Sequence, residues 1–427
     1  MCVDIVLGSV DERMKILTEG AKYDVSCSSS NSARGAQQGS VGQCNIAGVC
    51  HSFTSDGRCI SLLKLLLTNK CEYNCAYCIN RRDNNIPRAS LTPREVCEIV
   101  VGFYRRNYIE GLFLSSAVEI SPDYTMQKLV ETLTLLRGEY KFRAYVHVKA
   151  IPGASPELIE QAARLADRMS ANIELPSEKS LKLLAPAKTK QTIITPMKQL
   201  DRLTRREPEA RRGERVILPA GQTTQMIIGA SPDSDGQIVR LSEGLYTSLG
   251  LKRVYYSAYT PVNESSLLPV APPDLRHENR LYQADWLLRF YGFGAHEILG
   301  ENDNLPLDID PKSFWALNNI GHFPVEVNTA SYEMLLRVPG IGVRNAYRIV
   351  HARKSICLTL ESLKRMRIAL TRALYFITIG GKYYGIGDKP ELIRLKLNGQ
   401  DKLNYTLTEP KQISIFDNNR EVAIGEF

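Results

Sequence analysis

The sequence predicts an α/β protein built on a parallel sheet. Two observations predict it. From about residue 58 to residue 262, short apolar runs suited to buried strands alternate with helical stretches; that order gives a parallel sheet with right-handed crossovers. The chain of 427 residues, 44% of them hydrophobic, is also long enough to bury a sizeable core and to hold two or three domains.

The elements follow in order. Asp11 to Gly20 reads as a helix, and the Ser-, Gly-, Gln- and Asn-rich stretch from Ser26 to Gly48 as loop. Cys59 to Thr68 is an apolar run suited to a buried strand. Thr92 to Asn107 is helical, with Thr92 as cap and Pro93 in the first turn. Gly111 to Ser115 is a second strand and Asp123 to Glu139 its helix. Phe142 to Ile151 is a strand and Pro156 to Ala166 a helix. Met169 to Leu175 is a strand, followed by helices at Glu178 to Leu184 and Met197 to Arg206. Thr223 to Gly229, Gln237 to Leu249 and Arg253 to Tyr259 complete about six strand–helix units. Six such units form either a doubly wound sheet or an incomplete barrel, and the pattern alone does not separate the two. Leu267 to Pro273 is a Pro-rich linker. A helix from Arg280 to Tyr291 and an all-helical basic segment to about Thr378 follow, and the tail from Gly380 reads as short strands or coil.

These signals divide the chain into a Cys-containing N-terminal extension (1–57), an α/β core (58–265), a linker and helix (266–310), an all-α domain (311–380) and a tail (381–427). No apolar run approaches the ~18–20 residues that span a membrane, and Met1-Cys2-Val3-Asp4 lacks the pattern of a secretory signal, so the expected location is the cytoplasm. Reducing conditions there argue against a disulfide framework for the ten cysteines. Seven of the ten lie between Cys27 and Cys78, which points to metal binding. The formal charge of +8 is uneven: nine Lys and Arg against only Glu333 and Glu361 between Ser331 and Thr378 give that segment +7. A basic patch so confined suggests a docking polyanion, or else a solvated helical surface.

Cys71-Glu-Tyr-Asn-Cys75-Ala-Tyr-Cys78 sits just after the first core strand. Three thiolates at this spacing can wrap one face of a cubane and leave the fourth iron open to an amine and a carboxylate. A zinc site completed by a nearby cysteine and unrelated free thiols are the alternatives. The C-x3-C-x2-C spacing, with Tyr77 before the last cysteine and a strand ahead of it, resembles the radical SAM superfamily over about residues 58–262. The resemblance implies a partial (β/α)6 TIM-type barrel with its site at the C-terminal ends of the strands. It implies a [4Fe–4S] cluster on Cys71, Cys75 and Cys78 whose open iron chelates S-adenosyl-L-methionine. One electron, from a donor such as flavodoxin or ferredoxin, then cleaves that cofactor to methionine and a 5′-deoxyadenosyl radical. Further cofactor contacts carried over are Tyr77, Ser115 and Ser116, Asn172 and Glu174, and Gly229. Ser115-Ser116-Ala117 departs from the family's Gly-Gly-Glu-like stretch, since it has no acid at the third position. Tyr256 and Tyr259 read as core. Upstream, Cys27, Cys44, Cys50 and Cys59 are either ligands of an auxiliary Fe–S cluster or local thiols.

Val327 to Val350 resembles a helix-hairpin-helix element around Pro339-Gly340-Ile341-Gly342. The glycines allow a tight hairpin whose N–H groups can hold a phosphate. Arg344 and Arg348 lie four apart on one helix face, and Arg353 adds a third cation. A second, glycine-less pair is expected from Leu358 to Thr378. Such elements grip the backbone of DNA without reading sequence. In the tail, Gln412-Ile-Ser-Ile-Phe416 resembles a bacterial sliding-clamp binding peptide. Together the two regions resemble a bacterial family described as DNA modification or repair radical SAM proteins. Two other functions stay open: modification of RNA such as tRNA, and a non-catalytic Fe–S protein that binds DNA and senses redox state.

Overall fold

The computed structural model describes residues 8–21, 49–53, 59–206, 216–387 and 389–399. The described residues fall into two units, one of residues up to 233 with 244–273, the other of 234–243 with 274–399. Cys27, Cys44 and the Gln412–Phe416 peptide lie outside the described residues.

The first unit is a seven-stranded sheet in the order β1 (Val49–Phe53), β2 (Cys59–Leu66), β3 (Gly111–Ser115), β4 (Tyr145–Lys149), β5 (Arg168–Ser170), β6 (Gln222–Ile228), β7 (Arg253–Ala258). From β2 to β7 every pair is parallel. Each strand lies beside its sequence neighbours, without the reversal that a doubly wound sheet needs. The sheet is therefore a partial barrel of six parallel strands. The helices are α1 (Val10–Gly20), α2 (Pro93–Arg105), α3 (Pro122–Gly138), α4 (Pro156–Leu165), α5 (Glu178–Leu184), α6 (Lys190–Arg206) and, from Gly244 onward, α7 (Asp235–Leu249), whose earlier residues belong to the second unit.

The two faces of the sheet differ in chemistry. Leu63, Leu65, Leu112, Leu114, Val146, Val148, Met169, Met226 and Val254 share one face and are all at 0% exposure, as expected where helices cover a barrel. Their neighbours along each strand face the interior. Gly111 is required by close approach, because a Cβ there would run into the backbone carbonyl oxygen of Tyr145.

Three departures from the expected elements have local causes. The strand expected from Met169 to Leu175 stops at Ser170. Beyond it the Thr224 hydroxyl replaces ladder partners, accepting from Ile173 N at 2.9 Å and donating to Ala171 O at 2.8 Å. Pairing resumes only as a single bridge between Glu174 and Met226, with Glu174 at φ +66°. Helix α6 starts at Lys190 rather than Met197. Pro196 reads as a breaker, yet the helix runs through it, and Thr189 Oγ1 accepts from Thr192 N at the first turn. Finally, Val49–Phe53, in the N-terminal extension just after the expected loop and given no element there, forms a strand antiparallel to β2.

The second unit contains α8 (Leu275–Phe290), α9 (Ala295–Ile298), α10 (Pro311–Asn318), α11 (Tyr332–Arg337), α12 (Val343–Ala352), α13 (Leu360–Arg365), α14 (Leu370–Ala373) and α15 (Pro390–Leu397). The segment to about Thr378 is not all-helical as expected, and the tail, expected as short strands or coil, carries β10 and a helix, α15. β8 (Val325–Glu326) pairs in parallel with β9 (Ile377–Ile379), which pairs antiparallel with β10 (Lys382–Tyr383). Strands of two or three residues are too short to show a period of two. No helix among the described residues is long and apolar enough to cross a membrane.

Candidate metal centre

The loop after β2 carries Cys71, Cys75 and Cys78. Backbone bonds tie it to the ends of neighbouring elements: Leu67 N to Ser115 O at 2.9 Å, Glu72 N to Val118 O at 2.8 Å and Ala76 N to Leu184 O at 2.7 Å. Within the loop Cys78 N donates to Cys75 O at 3.0 Å, and Tyr73 N donates to Cys71 Sγ at 3.4 Å. Cys75 is buried, while Cys71 and Cys78 are partly exposed.

Two side chains from outside the motif hold the loop in shape. Arg88, buried at 4% exposure, donates to four carbonyls: Asn69 O at 2.6 Å, Asn80 O at 2.9 Å, Arg81 O at 2.6 Å and Asn84 O at 2.9 Å. Asn263, beyond β7, donates to Ala76 O at 2.8 Å and Cys78 O at 3.0 Å and accepts from Asn84 at 2.7 Å. Sequence reading missed both. Arg88 left one signal, a cation between Pro87 and Ala89 just after the motif; Asn263 left none.

The electrostatics suit a dry, soft-ligand site. Removal from water pushes the Cys78 thiol up to about 12, with Cys75 adding to the rise. Burial likewise raises Cys75, while Lys188 draws it back down and Glu174 adds to the rise. Thiols so raised hold their protons at neutral pH unless a metal displaces them, so metal loading releases protons. Lys188 Nζ lies 2.7 Å from Glu174 Oε1, with both side chains largely buried. Burial works against the Lys188 ammonium, but Glu174 and Cys75 outweigh it and hold its pKa above the ordinary value. Tyr77 is removed from water, which raises its pKa well above 10. Its hydroxyl has no oxygen or nitrogen partner and faces Cys75.

The residues fit an Fe–S cluster. The donor set is three thiols on one loop, and thiolates are the ligands that clusters select. Among the described residues no three His, Cys, Asp or Glu could hold a single metal ion; a cubane is ligated at separate corners and needs no such convergence. Of the other described cysteines, Cys97 is buried against Thr132 O at 3.5 Å and Cys357 is exposed in the second unit. Cys50 lies opposite Leu62 and Cys59 opposite Phe53 in the β1–β2 ladder.

The other predicted contacts sit on the same unit in varied settings. Ser115 is buried at the end of β3. Ser116 Oγ donates to Ala117 O at 2.7 Å. Asn172, at 3% exposure, donates to Gln225 Oε1 at 3.1 Å, and its own Oδ1 has no partner. Glu174 is engaged by Lys188, as above. Gly229 has φ +80°, and a Cβ there would lie 2.8 Å from Pro273, so protein fills that direction. Tyr256 is fully buried and Tyr259 is 2% exposed, as expected for core.

In the second unit, α11 and α12 flank the Pro339–Gly342 turn, and α13 and α14 flank a second one. Gly340 has φ +82°, and a Cβ there would fall 2.6 Å from Ala369 O, so the two turns pack closely. Helix α12 starts at Gly342 with no side-chain cap. Arg344, Arg348, Lys354, Arg365 and Arg367 are exposed; Arg348 also donates to Met366 O at 2.9 Å. Arg353 donates to Val327 O at 3.0 Å and Ala330 O at 2.6 Å. Arg337 pairs with Glu297 at 2.8 Å and Arg372 with Asp310.

Fold and loop together define a barrel with a three-cysteine cluster motif beyond its first parallel strand. Residues 65–206 match the family described as the Radical SAM superfamily, and the chain carries a domain of that superfamily. A curated relative, the GTP 3′,8-cyclase of Erythrobacter litoralis, is 45% identical over 51 residues, covering 12% of this chain and 15% of the relative's length. The FeFe-hydrogenase maturase HydG from Carboxydothermus hydrogenoformans matches with 16% identity and a TM-score of 0.39, over 52% of this chain and 50% of that one. A second HydG structure matches with 12% identity and a TM-score of 0.41, over 81% and 83%.

Proposed function

We propose that this protein is a radical enzyme that acts on nucleic acid, with DNA as the favoured substrate. The observation that carries the radical chemistry is the thiol triplet on a loop fixed by Arg88 and Asn263. When bound, a [4Fe–4S] cluster with S-adenosylmethionine supplies a 5′-deoxyadenosyl radical on one-electron reduction by a flavodoxin- or ferredoxin-like donor. Cys71, Cys75 and Cys78 hold the cluster. Arg88 and Asn263 keep the loop carbonyls turned inward so that the thiols are presented together. The Lys188–Glu174 pair sets a polar wall beside Cys75, and Asn172 leaves an acceptor free for a ligand.

The second unit supports the choice of polymer. Its basic segment keeps six exposed cations, Lys364 among them paired with Glu361, after Arg337 and Arg372 are spent on internal pairs. The uncapped start of α12 leaves N–H groups for an anion, and Arg344 and Arg367 adjoin the two turns. Phosphate contacts of this kind bind without reading sequence. Fluorescence anisotropy with duplex DNA and with tRNA, over a range of salt, tests the reading. Duplex DNA should bind more tightly, and Arg344→Gln with Arg367→Gln should reduce the salt slope by about two contacts. Tighter binding of tRNA would shift the substrate to RNA; binding to neither would leave the second unit without this role. We propose also that Gln412–Phe416 docks on a sliding clamp, which deletion of residues 411–427 and a pull-down with clamp would test.

A further inference from the structure

Helix α12 turns one face inward and leaves an aromatic face in the open. Ala346 and Ile349 are fully buried and attach it to the second unit. Val343, Tyr347 and His351 are spaced four apart, so they share one face. At 3.6 residues per turn that face is centred about 160° round the helix from Ile349. All three residues are exposed, Tyr347 at 58% and Val343 at 37%. The Tyr347 and His351 rings lie against each other, with centroids 4.3 Å apart and planes inclined at 42°. With more than half of Tyr347 in the open, the pair adds little to the core, which α12 already meets through Ala346 and Ile349.

The charge beside this stripe is of one sign. Arg344 and Arg348 lie about 60° and 100° round the helix from Tyr347, and both are exposed. From Val338 to Leu360 the chain carries Arg344, Arg348, Arg353 and Lys354 and no aspartate or glutamate. Rings edged by cations suit a ligand that brings negative charge and an uncovered π-face together. An unpaired nucleotide has both: its phosphate answers the arginines, and its base stacks on an aromatic side chain. Bases inside an intact duplex are stacked on one another and show only their edges in the grooves. An intact duplex therefore satisfies the cations of α12 and leaves its rings idle.

We propose that the Tyr347–His351 pair stacks on an unpaired base of DNA, so that the second unit prefers DNA with a single-stranded part to an intact duplex. The proposal rests on the reading of that unit as a DNA binder and narrows its substrate. Arg344 and Arg348 hold the backbone, and the two rings hold the base. A base already out of its stack is also what chemistry on a base requires.

Fluorescence anisotropy on the full-length protein, at one salt concentration, tests this with three probes. One is an intact duplex, the second the same duplex with a short single-stranded extension, and the third that extended duplex with an abasic extension. The two extended probes carry equal charge and differ only in bases. The parent protein should bind the base-bearing extension about tenfold more tightly than the abasic one. Tyr347→Ala should abolish that difference and leave binding of the intact duplex unchanged, whereas Tyr347→Phe, which keeps the ring, should preserve it. Equal binding of the two extended probes by the parent overturns the proposal. So does a difference that survives Tyr347→Ala, or one that Tyr347→Phe also loses. In each of those cases salt-dependent binding of the intact duplex leaves the DNA reading standing; binding to none of the three probes removes both.

Discussion

Replacing Arg88 by Met should empty the metal centre without touching a ligand. Met keeps the apolar stem and removes every donor. Four carbonyls lose their partner, those of Asn69, Asn80, Arg81 and Asn84. Arg81 and Asn84 lie in partly exposed loop and can turn to water. Asn69 is buried at 2% exposure and Asn80 at 8%, so their carbonyls remain dry. At roughly 1–3 kcal/mol for each unsatisfied buried group, the folded first unit loses about 4 kcal/mol. For a unit of this size that is a fall in Tm of roughly 10 °C. Because the lost bonds all act on the cysteine loop, iron per chain should fall from four towards zero even below the new Tm. Arg88→Lys should be intermediate, since an ammonium has three donors and no planar fork. Iron analysis after anaerobic reconstitution, beside a thermal melt, reads both. Four irons per chain and an unshifted melt in Arg88→Met would refute the clamp.

Further outcomes follow from the same geometry. Lys188→Met leaves the Glu174 carboxylate buried without its partner, and should cost about 3–5 kcal/mol in a denaturant midpoint; adding Glu174→Gln should recover part of it. Glu95 is held at about 2 by its hydrogen bonds from Arg13, below its ordinary value of 4.5. A depressed carboxylate contributes stability that is present above its unfolded pKa and lost as pH falls through the folded one. Acid unfolding between about pH 4.5 and 2 should therefore flatten in Glu95→Gln, and a curve identical to the parent would count against that pair. His277 is raised by its hydrogen bond to Asp235. Its contribution is present below pH 6.5 and lost as pH rises through the folded value, so His277→Gln should destabilise the second unit more at pH 6 than at pH 9. Gly340→Ala forces a side chain into φ +82° and against Ala369 O; a loss of about 2 kcal/mol or more and weaker DNA binding should accompany it.

The cluster motif was legible because its ligand spacing is local and complete within eight residues. The barrel was legible from alternation, but its closure direction needed the order of strands, which no periodicity encodes. Asn263 and Lys188 were not legible, since their roles exist only once separate segments meet, and the one signal of Arg88, a cation between Pro87 and Ala89, does not say which carbonyls it holds. The broken fifth strand turned on one hydroxyl, that of Thr224, competing with the backbone ladder. In the second unit, β8 and β9 escaped because they are shorter than the pattern that would identify them, whereas β10 lies in the tail expected as short strands or coil, and helix α15 of that tail was not expected.

The most direct measurement is 5′-deoxyadenosine formed from S-adenosylmethionine by the anaerobically reconstituted, dithionite-reduced protein. The account predicts product from the parent chain and none from Cys71→Ala, Cys75→Ala or Cys78→Ala. A parent loaded with four irons that forms no product, or any of the three variants that still does, would contradict it.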